Sequence, residues 1–247
     1  MGSPRVMNSV QSQKRRDAKR RGAKGKGAMK VETSTMALRA TSVAFVVVIA
    51  YYLGDYSLFS WHPVCMSVGY MALMTEAVRT AVAFRTTTGE ERVRQITKHM
   101  VLNLCALALI VVGFSAIYKN KIRLGKSHFM SWHGKLGLTV FISSILVVLG
   151  GLLSFKKVGL IHMFPEKKHA TMKRIHRIGG VFTYFLSIFV IELGLMSVFA
   201  SKVTQVLMQT GVGAVALLIL VISLKGEGNA SKGGAKEEDA LLISTQR

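Results

Sequence analysis

Four histidines occupy matching positions in a strongly apolar chain, each in the first turn of an apolar segment and in four consecutive segments. They are His62, His99, His133 and His176. An imidazole is poorly suited to hydrocarbon, but its neutral nitrogen is a common metal ligand. Apolar segments of about 20 residues can span a bilayer, and successive spans run in opposite directions. His62 and His133 are therefore expected at one membrane face. His99 and His176 are expected at the other, a layout that predicts two haem sites with two histidine ligands each.

The composition indicates an all-α membrane protein. The chain has 247 residues, half of them hydrophobic, and the apolar residues form long runs rather than an amphipathic pattern. Six runs qualify as spans: residues 37–54, 61–84, 98–118, 132–155, 175–200 and 203–224. We therefore expect a bundle of six transmembrane helices over residues 37–224. Its four-helix di-haem core should occupy about residues 61–200.

The distribution of charge predicts the orientation of the chain. The net charge is +21, and residues 1–35 carry ten Lys and Arg against two acidic residues. Such an arm could bind nucleic acid or anionic lipid. The favoured interpretation is a disordered cytosolic tail over residues 1–36 that enforces orientation, so no specific nucleic-acid partner is expected. Basic loops at 85–97 and 156–174 agree with a cytosolic N-terminus, although the basic loop at 119–131 opposes it. Six spans then return the tail at 225–247 to the cytosol.

The cysteines and the other histidines limit how a haem could be held. Cys65 and Cys105 lie in predicted spans near opposite faces, so a disulfide between them is implausible on geometry. The chain has no Cys-x-x-Cys-His motif, and its thiols and imidazoles lack the spacing of a zinc site. The haems are therefore expected to be non-covalent. His128, His162 and His169 fall in loops and are not expected to be ligands.

Small or weakly polar residues follow the histidines on the same helical face, such as Gly69 after His62 and Gly180 after His176. Small residues also serve close helix packing in membranes, but directly beneath the histidines they favour a slot for a flat porphyrin. All four histidines are also expected at helix N-termini, whose partial positive charge would favour anionic propionates. Two axial histidines leave no open position for oxygen, which favours electron transfer.

Three runs of sequence resemble the eukaryotic cytochrome b561 family, most closely its cytochrome b561 domain-containing protein 2 branch. They are Ser-Leu-Phe-Ser-Trp-His-Pro-Val-Cys-Met at 57–66, Leu-Met-Thr-Glu-Ala at 73–77, and Leu-Gly-Lys-Ser-His at 124–128 followed by His133-Gly134. The resemblance covers about residues 40–225. It implies a six-helix protein with two b haems. His99 and His176 would hold the cytosolic haem, and His62 and His133 the non-cytosolic one.

The resemblance also implies an activity. Cytosolic ascorbate would donate one electron, and monodehydroascorbate or a ferric chelate would be reduced on the lumenal or extracellular side. This would make the chain a transmembrane ascorbate-dependent reductase of the endoplasmic reticulum or of cytoplasmic-vesicle or endolysosomal membranes, and a homodimer. The chain departs from the ascorbate-binding members at Thr97, where they carry a basic residue, and around Ser131. A b cytochrome that serves another donor, such as a quinol, stays open as an alternative.

Charged residues near the two faces are candidates for the substrate edges, because ascorbate and many iron chelates are anions. The candidates are Arg94, Lys98, Lys173 and Arg174 on the cytosolic side and Lys126 and His128 on the other side. The cytosolic cations are equally suited to be determinants of orientation. Glu76 and Arg79, three residues apart, are predicted to pair across one helical turn in a structural role.

The C-terminal tail raises a second alternative, a haem-free adaptor or trafficking protein. Residues 237–242 read Glu-Glu-Asp-Ala-Leu-Leu, an acidic dileucine pattern that a sorting adaptor could bind. A plain solvated acidic tail is the other interpretation. Asn229-Ala230-Ser231 is a glycosylation sequon, which a cytosolic tail would leave unused.

Overall fold

The computed structural model describes residues 32–155, 160–199 and 201–245, and for residues 160 and 224–245 it describes the backbone alone. Residues 1–31 of the predicted basic tail therefore lie outside the described residues. The side chains of the sequon and of the dileucine pattern also lie outside them. Throughout the described ranges, the regular secondary structure is helical.

In the described residues, seven α-helices and two shorter helical elements follow one another. The α-helices are α1 (Glu32–Leu53), α2 (Leu58–Met66), α3 (Thr75–Ala83), α4 (Gly89–Arg123), α5 (Trp132–Ser154), α6 (Glu166–Val198) and α7 (Lys202–Thr245). A π-helical segment, Ser67–Met74, joins α2 to α3, and a 3₁₀ turn, Leu160–Met163, precedes α6. Among the described helices, five are each long and apolar enough to cross a membrane: α1, α4, α5, α6 and the Lys202–Ser223 part of α7.

The second predicted span differs from a single α-helix. The structure builds it from α2, the π-helical segment and α3, which follow one another without a break from Leu58 to Ala83. A π-helix pairs residues five apart instead of four, so it accommodates one residue more than the α-helix it interrupts. The expected all-α membrane bundle is confirmed, and the expected six-helix count matches only roughly because of this interruption.

Helices α4 and α6 begin well before their apolar runs. Helix α4 begins at Gly89 with Glu90 and Glu91 in its first turn, where acidic side chains favour the helix dipole. Helix α6 begins at Glu166. His99 and His176 therefore lie about three turns inside their helices, and the expectation that all four histidines occupy helix N-termini is wrong for these two.

The other two histidines do lie near helix N-termini, and each of those ends is capped by a serine. Ser57 Oγ accepts a hydrogen bond from the Ser60 N–H at 3.2 Å, and Ser131 Oγ accepts one from the Gly134 N–H at 3.1 Å. Ser57 also hydrogen-bonds Asp55 in the preceding loop and so lowers the pKa of that carboxyl. These caps determine where the helices that carry His62 and His133 begin.

The centre of the bundle consists of two antiparallel hairpins. The first hairpin is α2, the π-helical segment and α3 packed on α4, and the second hairpin is α5 packed on α6. The hairpins meet where α4 contacts α5 and where α6 contacts the π-helical segment, and α7 packs on α3 and α6. Met71, Ile110 and Tyr184 are almost completely buried in this core. Large apolar side chains such as Leu146 and Phe182, each 63% exposed, cover the outside, as expected for a surface that faces lipid.

Candidate haem-binding sites

The structure brings the four histidines together in the two pairs that the alternation of spans predicts. The ring centroids of His62 and His133 are 6.0 Å apart with planes at 87°, and those of His99 and His176 are 6.2 Å apart with planes at 86°. We call these two ends of the core the His62 end and the His99 end. In each pair, one ring comes from the first hairpin and the other from the second.

Each of the four imidazoles is oriented by a backbone carbonyl of its own hairpin. In the first hairpin, His62 Nδ1 lies 3.2 Å from the Gly113 carbonyl oxygen and His99 Nδ1 lies 2.8 Å from that of Ala77. A neutral imidazole that donates from Nδ1 keeps its lone pair on Nε2. The carbonyl thus selects the tautomer whose Nε2 can bind a metal, as is common for metal-bound histidines.

The second hairpin repeats this arrangement. His133 Nδ1 lies 2.9 Å from the Val190 carbonyl oxygen, and His176 Nδ1 lies 3.0 Å from that of Val147. All four rings are half-buried rather than fully enclosed. The two hairpins therefore present four Nε2 atoms, two at each end of the core.

This geometry fits a haem iron at each end. Two imidazoles that bind one metal from opposite sides, each at about 2 Å, have ring centroids about 6 Å apart. Ordinary contacts between aromatic rings cover the same range of separations, so the distance by itself is not specific. The engaged Nδ1 on all four rings is the additional observation that favours metal ligation by both pairs.

Two glycines that the histidine pattern does not predict lie directly against the rings. A Cβ atom on Gly151 would lie 2.8 Å from His176 Cε1, and one on Gly194 would lie 3.0 Å from His133 Cε1. Gly151 follows Val147 by four residues, and Gly194 follows Val190 by four. Because Cβ atoms tilt towards the helix N-terminus, a side chain at these positions would cover the carbonyl that accepts the imidazole hydrogen bond.

In the first hairpin, two of the small residues that follow the histidines serve close helix packing rather than the expected porphyrin slot. A Cβ on Gly69 would lie 2.9 Å from Ile110, and one on Gly113 would lie 3.0 Å from the Cβ of Cys65. These glycines allow α2 and the π-helical segment to approach α4 closely. Helix packing, the alternative interpretation of the pattern, is thus the better one for the first hairpin.

The His99 end is surrounded by charged side chains that meet at one carboxylate. Glu76 Oε1 accepts hydrogen bonds from Arg39 at 2.7 Å, from Arg79 at 2.8 Å and from Lys98 at 3.0 Å. The predicted Glu76–Arg79 pair is confirmed, but it belongs to a larger cluster that joins α1, α3 and α4. We call these four residues the Glu76 cluster.

The cytosolic-edge candidates differ in their surroundings. Lys98 pairs with Glu76, and Arg94 pairs with Glu91. Arg94, Thr97 and Lys98 also line an open groove of about 1100 Å³ along the first turns of α4. The remaining two candidates, Lys173 and Arg174, are exposed on α6, in the turn before His176. The groove and the exposed cations lie at the end of the core where His99 and His176 meet.

The His62 end adjoins a cluster of aromatic rings. The predicted edge residue His128 stacks on Tyr118 with centroids 4.2 Å apart, and Phe114 stacks on Phe141 at 4.1 Å. Phe114 also contacts Tyr118 at 6.3 Å, so the rings form a continuous row. The row begins beside Gly113, the carbonyl partner of His62, and reaches the loop that carries His128. Lys126 is exposed in the same loop.

The two remaining histidines, His162 and His169, belong to neither pair, and His169 lies in α6 rather than in the predicted loop. His162 and His169 contact each other with centroids 6.5 Å apart, and His169 Nε2 lies 2.8 Å from the Phe164 carbonyl oxygen.

Asn103, which follows His99 by one turn, donates a hydrogen bond from Nδ2 to the His99 carbonyl at 2.8 Å, and the same Nδ2 lies 3.4 Å from His99 Nε2. The described hydrogen bonds of the four paired histidines are thus made within the four-helix core, without His162 or His169.

Comparison with known proteins gives consistent similarities. The family model for eukaryotic cytochrome b561 matches residues 61–202, which include all four paired histidines. Transmembrane reductase CYB561D2 of Bos taurus is 34% identical over 174 residues, or 68% of this chain and 72% of that protein. The Homo sapiens protein of the same name is 34% identical over 155 residues, or 60% of this chain and 66% of that protein. Probable transmembrane reductase CYB561D1 of Mus musculus is 28% identical over 147 residues, or 58% and 61%.

Proposed function

Because this chain belongs to the eukaryotic cytochrome b561 family, we propose that it oxidises cytosolic ascorbate and reduces monodehydroascorbate or a ferric chelate across the membrane. It is an integral multi-pass membrane oxidoreductase whose family transfers electrons across membranes. The observation that carries the proposal is the presence of an oriented histidine pair at each end of one four-helix core.

The four histidines would hold two non-covalent b haems, His62 with His133 and His99 with His176. When bound, haem b supplies a one-electron iron couple. The protein contributes the Nδ1 hydrogen bonds, which hold each ring in one tautomer and orientation. Because two histidines would hold each haem, the arrangement favours electron transfer over binding of oxygen.

We assign the His99 end to the cytosol, with both chain termini on the same side. The basic loop 85–97 and the basic residues before His176 support this orientation. An ascorbate monoanion gives up one electron and one proton to become monodehydroascorbate, so a cationic surface favours the donor at this end. Among the described residues, Lys173 and Arg174 make no ion pair, whereas Lys98 and Arg94 are partly neutralised. Lys173 and Arg174 are therefore the stronger candidates for attracting ascorbate.

The opposite end would receive the acceptor. A ferric chelate gains one electron there and becomes a ferrous chelate, and Lys126 would attract an anionic chelate. His128 presents its ring in a stack with Tyr118, so it offers a flat apolar surface as well as a polar nitrogen. The membrane would be that of the endoplasmic reticulum or of cytoplasmic vesicles. The C-terminal dileucine pattern at 237–242 would guide sorting, and a homodimer is the proposed assembly.

An absorbance spectrum of the purified full-length chain tests this proposal. We expect two haems per chain, a b-type α band after reduction by dithionite, and rapid reduction by ascorbate but not by a quinol. A folded preparation without a Soret band would exclude the redox function and favour the adaptor alternative. Reduction by a quinol but not by ascorbate would identify the quinol as the donor in place of ascorbate.

A charge variant tests the donor end. Replacing Lys173 and Arg174 together with Ala should raise the ascorbate concentration needed for half-maximal reduction, because the attraction for the anion is weakened. Lys135→Ala is the matched control, since Lys135 lies over Trp132 at the His62 end. An equal effect of both variants would contradict the assignment of the donor to the His99 end.

A further inference from the structure

Two pairs of buried hydroxyl groups join the first hairpin to the second. The Tyr70 hydroxyl lies 3.0 Å from Ser144 Oγ, and Thr75 Oγ1 lies 2.8 Å from the Tyr184 hydroxyl. The exposed fractions of the four side chains are between 1% and 5%. Tyr70 and Thr75 belong to the second span, Ser144 to α5 and Tyr184 to α6.

The direction of these hydrogen bonds follows from the carbonyl at the end of each pair. Ser144 Oγ donates its proton to the Val140 carbonyl at 2.8 Å, so the Tyr70 hydroxyl donates to Ser144. Thr75 Oγ1 donates to the Tyr70 carbonyl at 3.2 Å, so the Tyr184 hydroxyl donates to Thr75. Tyr70 thus takes part in both pairs, once through its hydroxyl and once through its carbonyl.

Both tyrosines lie near the middle of the core, between the two histidine pairs. Tyr70 follows His62 by eight residues and precedes Ala77, the carbonyl partner of His99, by seven. At the rise of an α-helix these intervals correspond to about 12 Å and about 10 Å. Tyr184 follows His176 by eight residues and precedes Val190, the carbonyl partner of His133, by six.

The separation of the rings in each histidine pair depends on how the hairpins meet. The orientation of a ring is set within its own hairpin, by the carbonyl that Nδ1 contacts. The two rings of a pair belong to different hairpins, so their separation is set between the hairpins. Apolar contacts distinguish poorly between helix separations in a bilayer, because lipid tails are as apolar as the side chains, whereas hydrogen bonds between helices select one arrangement.

We propose that Tyr70, Thr75, Ser144 and Tyr184 form a midplane latch that sets the spacing of the two hairpins, and with it the ring separation of both histidine pairs at once. The four are positioning residues that act through hairpin packing. The inference rests on the proposed function only in the experiments that use haem properties to measure the spacing of the two hairpins.

The double variant Tyr70→Phe/Tyr184→Phe tests the latch in the haem-loaded chain. It keeps both ring volumes and removes both donors, so it leaves no buried N–H or O–H without an acceptor. We expect both haems to remain bound and the electron paramagnetic resonance signals and midpoint potentials of both to shift. Tyr51→Phe, at a side chain that is 82% exposed on α1, is the matched control and should leave both unchanged.

A second variant separates the latch from an effect of one tyrosine. Ser144→Ala removes the acceptor for Tyr70 from the opposite hairpin and should also shift the signals of both haems. A shift at one haem only, in both variants, would show that the contacts are local and would overturn the latch.

A crosslinking experiment tests the spacing of the two hairpins without the use of haem. In a background of Cys65→Ser and Cys105→Ser, cysteines replace one histidine pair at a time and are joined with a short bis-maleimide. We expect the double Tyr→Phe change to lower the crosslinking yield at both ends relative to Tyr51→Phe. Unchanged yields at both ends would overturn the latch. If the unmodified chain binds no haem, the proposed function fails, and the crosslinking yields alone decide whether the latch exists.

Discussion

His133 and His176 each contact a backbone carbonyl on the other's helix, His133 that of Val190 at 2.9 Å and His176 that of Val147 at 3.0 Å. Val147 follows His133 by fourteen residues, and Val190 follows His176 by fourteen. Fourteen residues correspond to almost four helical turns, so a histidine and the carbonyl fourteen residues later lie close to the same face. An antiparallel pair of such helices can therefore orient both of its imidazoles at once.

The first hairpin uses the same arrangement with one difference. Gly113 follows His99 by fourteen residues, but Ala77 follows His62 by fifteen. The additional residue lies in the span that contains the π-helical segment Ser67–Met74. The π-helical segment thus absorbs the extra residue and keeps His62 and the Ala77 carbonyl on the face that meets α4.

The pairing of the histidines predicts which single substitutions act on the same haem. His62→Ala and His133→Ala should each reduce the haem content from two to one per chain and leave the same residual spectrum. His99→Ala should leave the other spectrum, because its partner is His176. The measurement is the haem-to-protein ratio with a reduced-minus-oxidised difference spectrum. His162→Ala is the control and should retain both haems, and different residual spectra for His62→Ala and His133→Ala would contradict the pairing.

The two glycines against the rings predict a steric effect. Gly151→Ala would place a Cβ 2.8 Å from His176 Cε1, and Gly194→Ala would place one 3.0 Å from His133 Cε1. Each should displace its imidazole and weaken or shift one haem, at the His99 end and the His62 end respectively. Gly150→Ala is a matched control, because a Cβ at Gly150 meets nothing within 4 Å. Equal spectra of Gly150→Ala and Gly151→Ala would rule out the contact.

The fifteen-residue interval predicts that a deletion is tolerated in one span but not in its neighbour. Deletion of Ala72 from the π-helical segment leaves fourteen residues between His62 and the Ala77 carbonyl, so both haems should remain bound. Deletion of Ala108 from α4 leaves thirteen residues between His99 and the Gly113 carbonyl and rotates the two contacts apart by about 100°. At least one haem should be lost in that variant, as measured by the haem-to-protein ratio. Loss of haem from the Ala72 deletion alone would contradict the role of the π-helical segment.

The Glu76 cluster predicts a stability effect at the His99 end. Glu76→Gln keeps the shape of the side chain but removes the charge that Arg39, Arg79 and Lys98 share. Because Glu76 is only 17% exposed, we expect a loss of about 1–3 kcal/mol in the free energy of unfolding. The measurement is the thermal transition of the haem-loaded chain. Glu91→Gln removes an exposed pair with Arg94 that solvent screens, so its thermal transition should stay close to that of the unmodified chain, and a loss as large as that of Glu76→Gln would contradict the distinction.

Much of the architecture could be predicted because it depends on hydropathy and on the alternation of spans. Long apolar runs predict the helices. Two histidines lie at the same face when the chain crosses the membrane an even number of times between them. The boundaries of α4 and α6 could not be predicted in this way, because polar residues such as Glu90 and Glu166 continue a helix beyond the apolar run. The helix-dipole argument failed for His99 and His176 for the same reason.

The sequence by itself determines that the chain is an all-α membrane bundle and which histidine meets which, since both follow from residue type and from the direction of the spans. The tertiary structure alone decides the carbonyl that orients each ring, the glycines that leave that carbonyl open, and the role of the π-helical segment. Those features depend on the axial register and rotation of one helix against another. Register and rotation are set by contacts between residues far apart in the chain, so no local pattern around His62, His99, His133 or His176 encodes them.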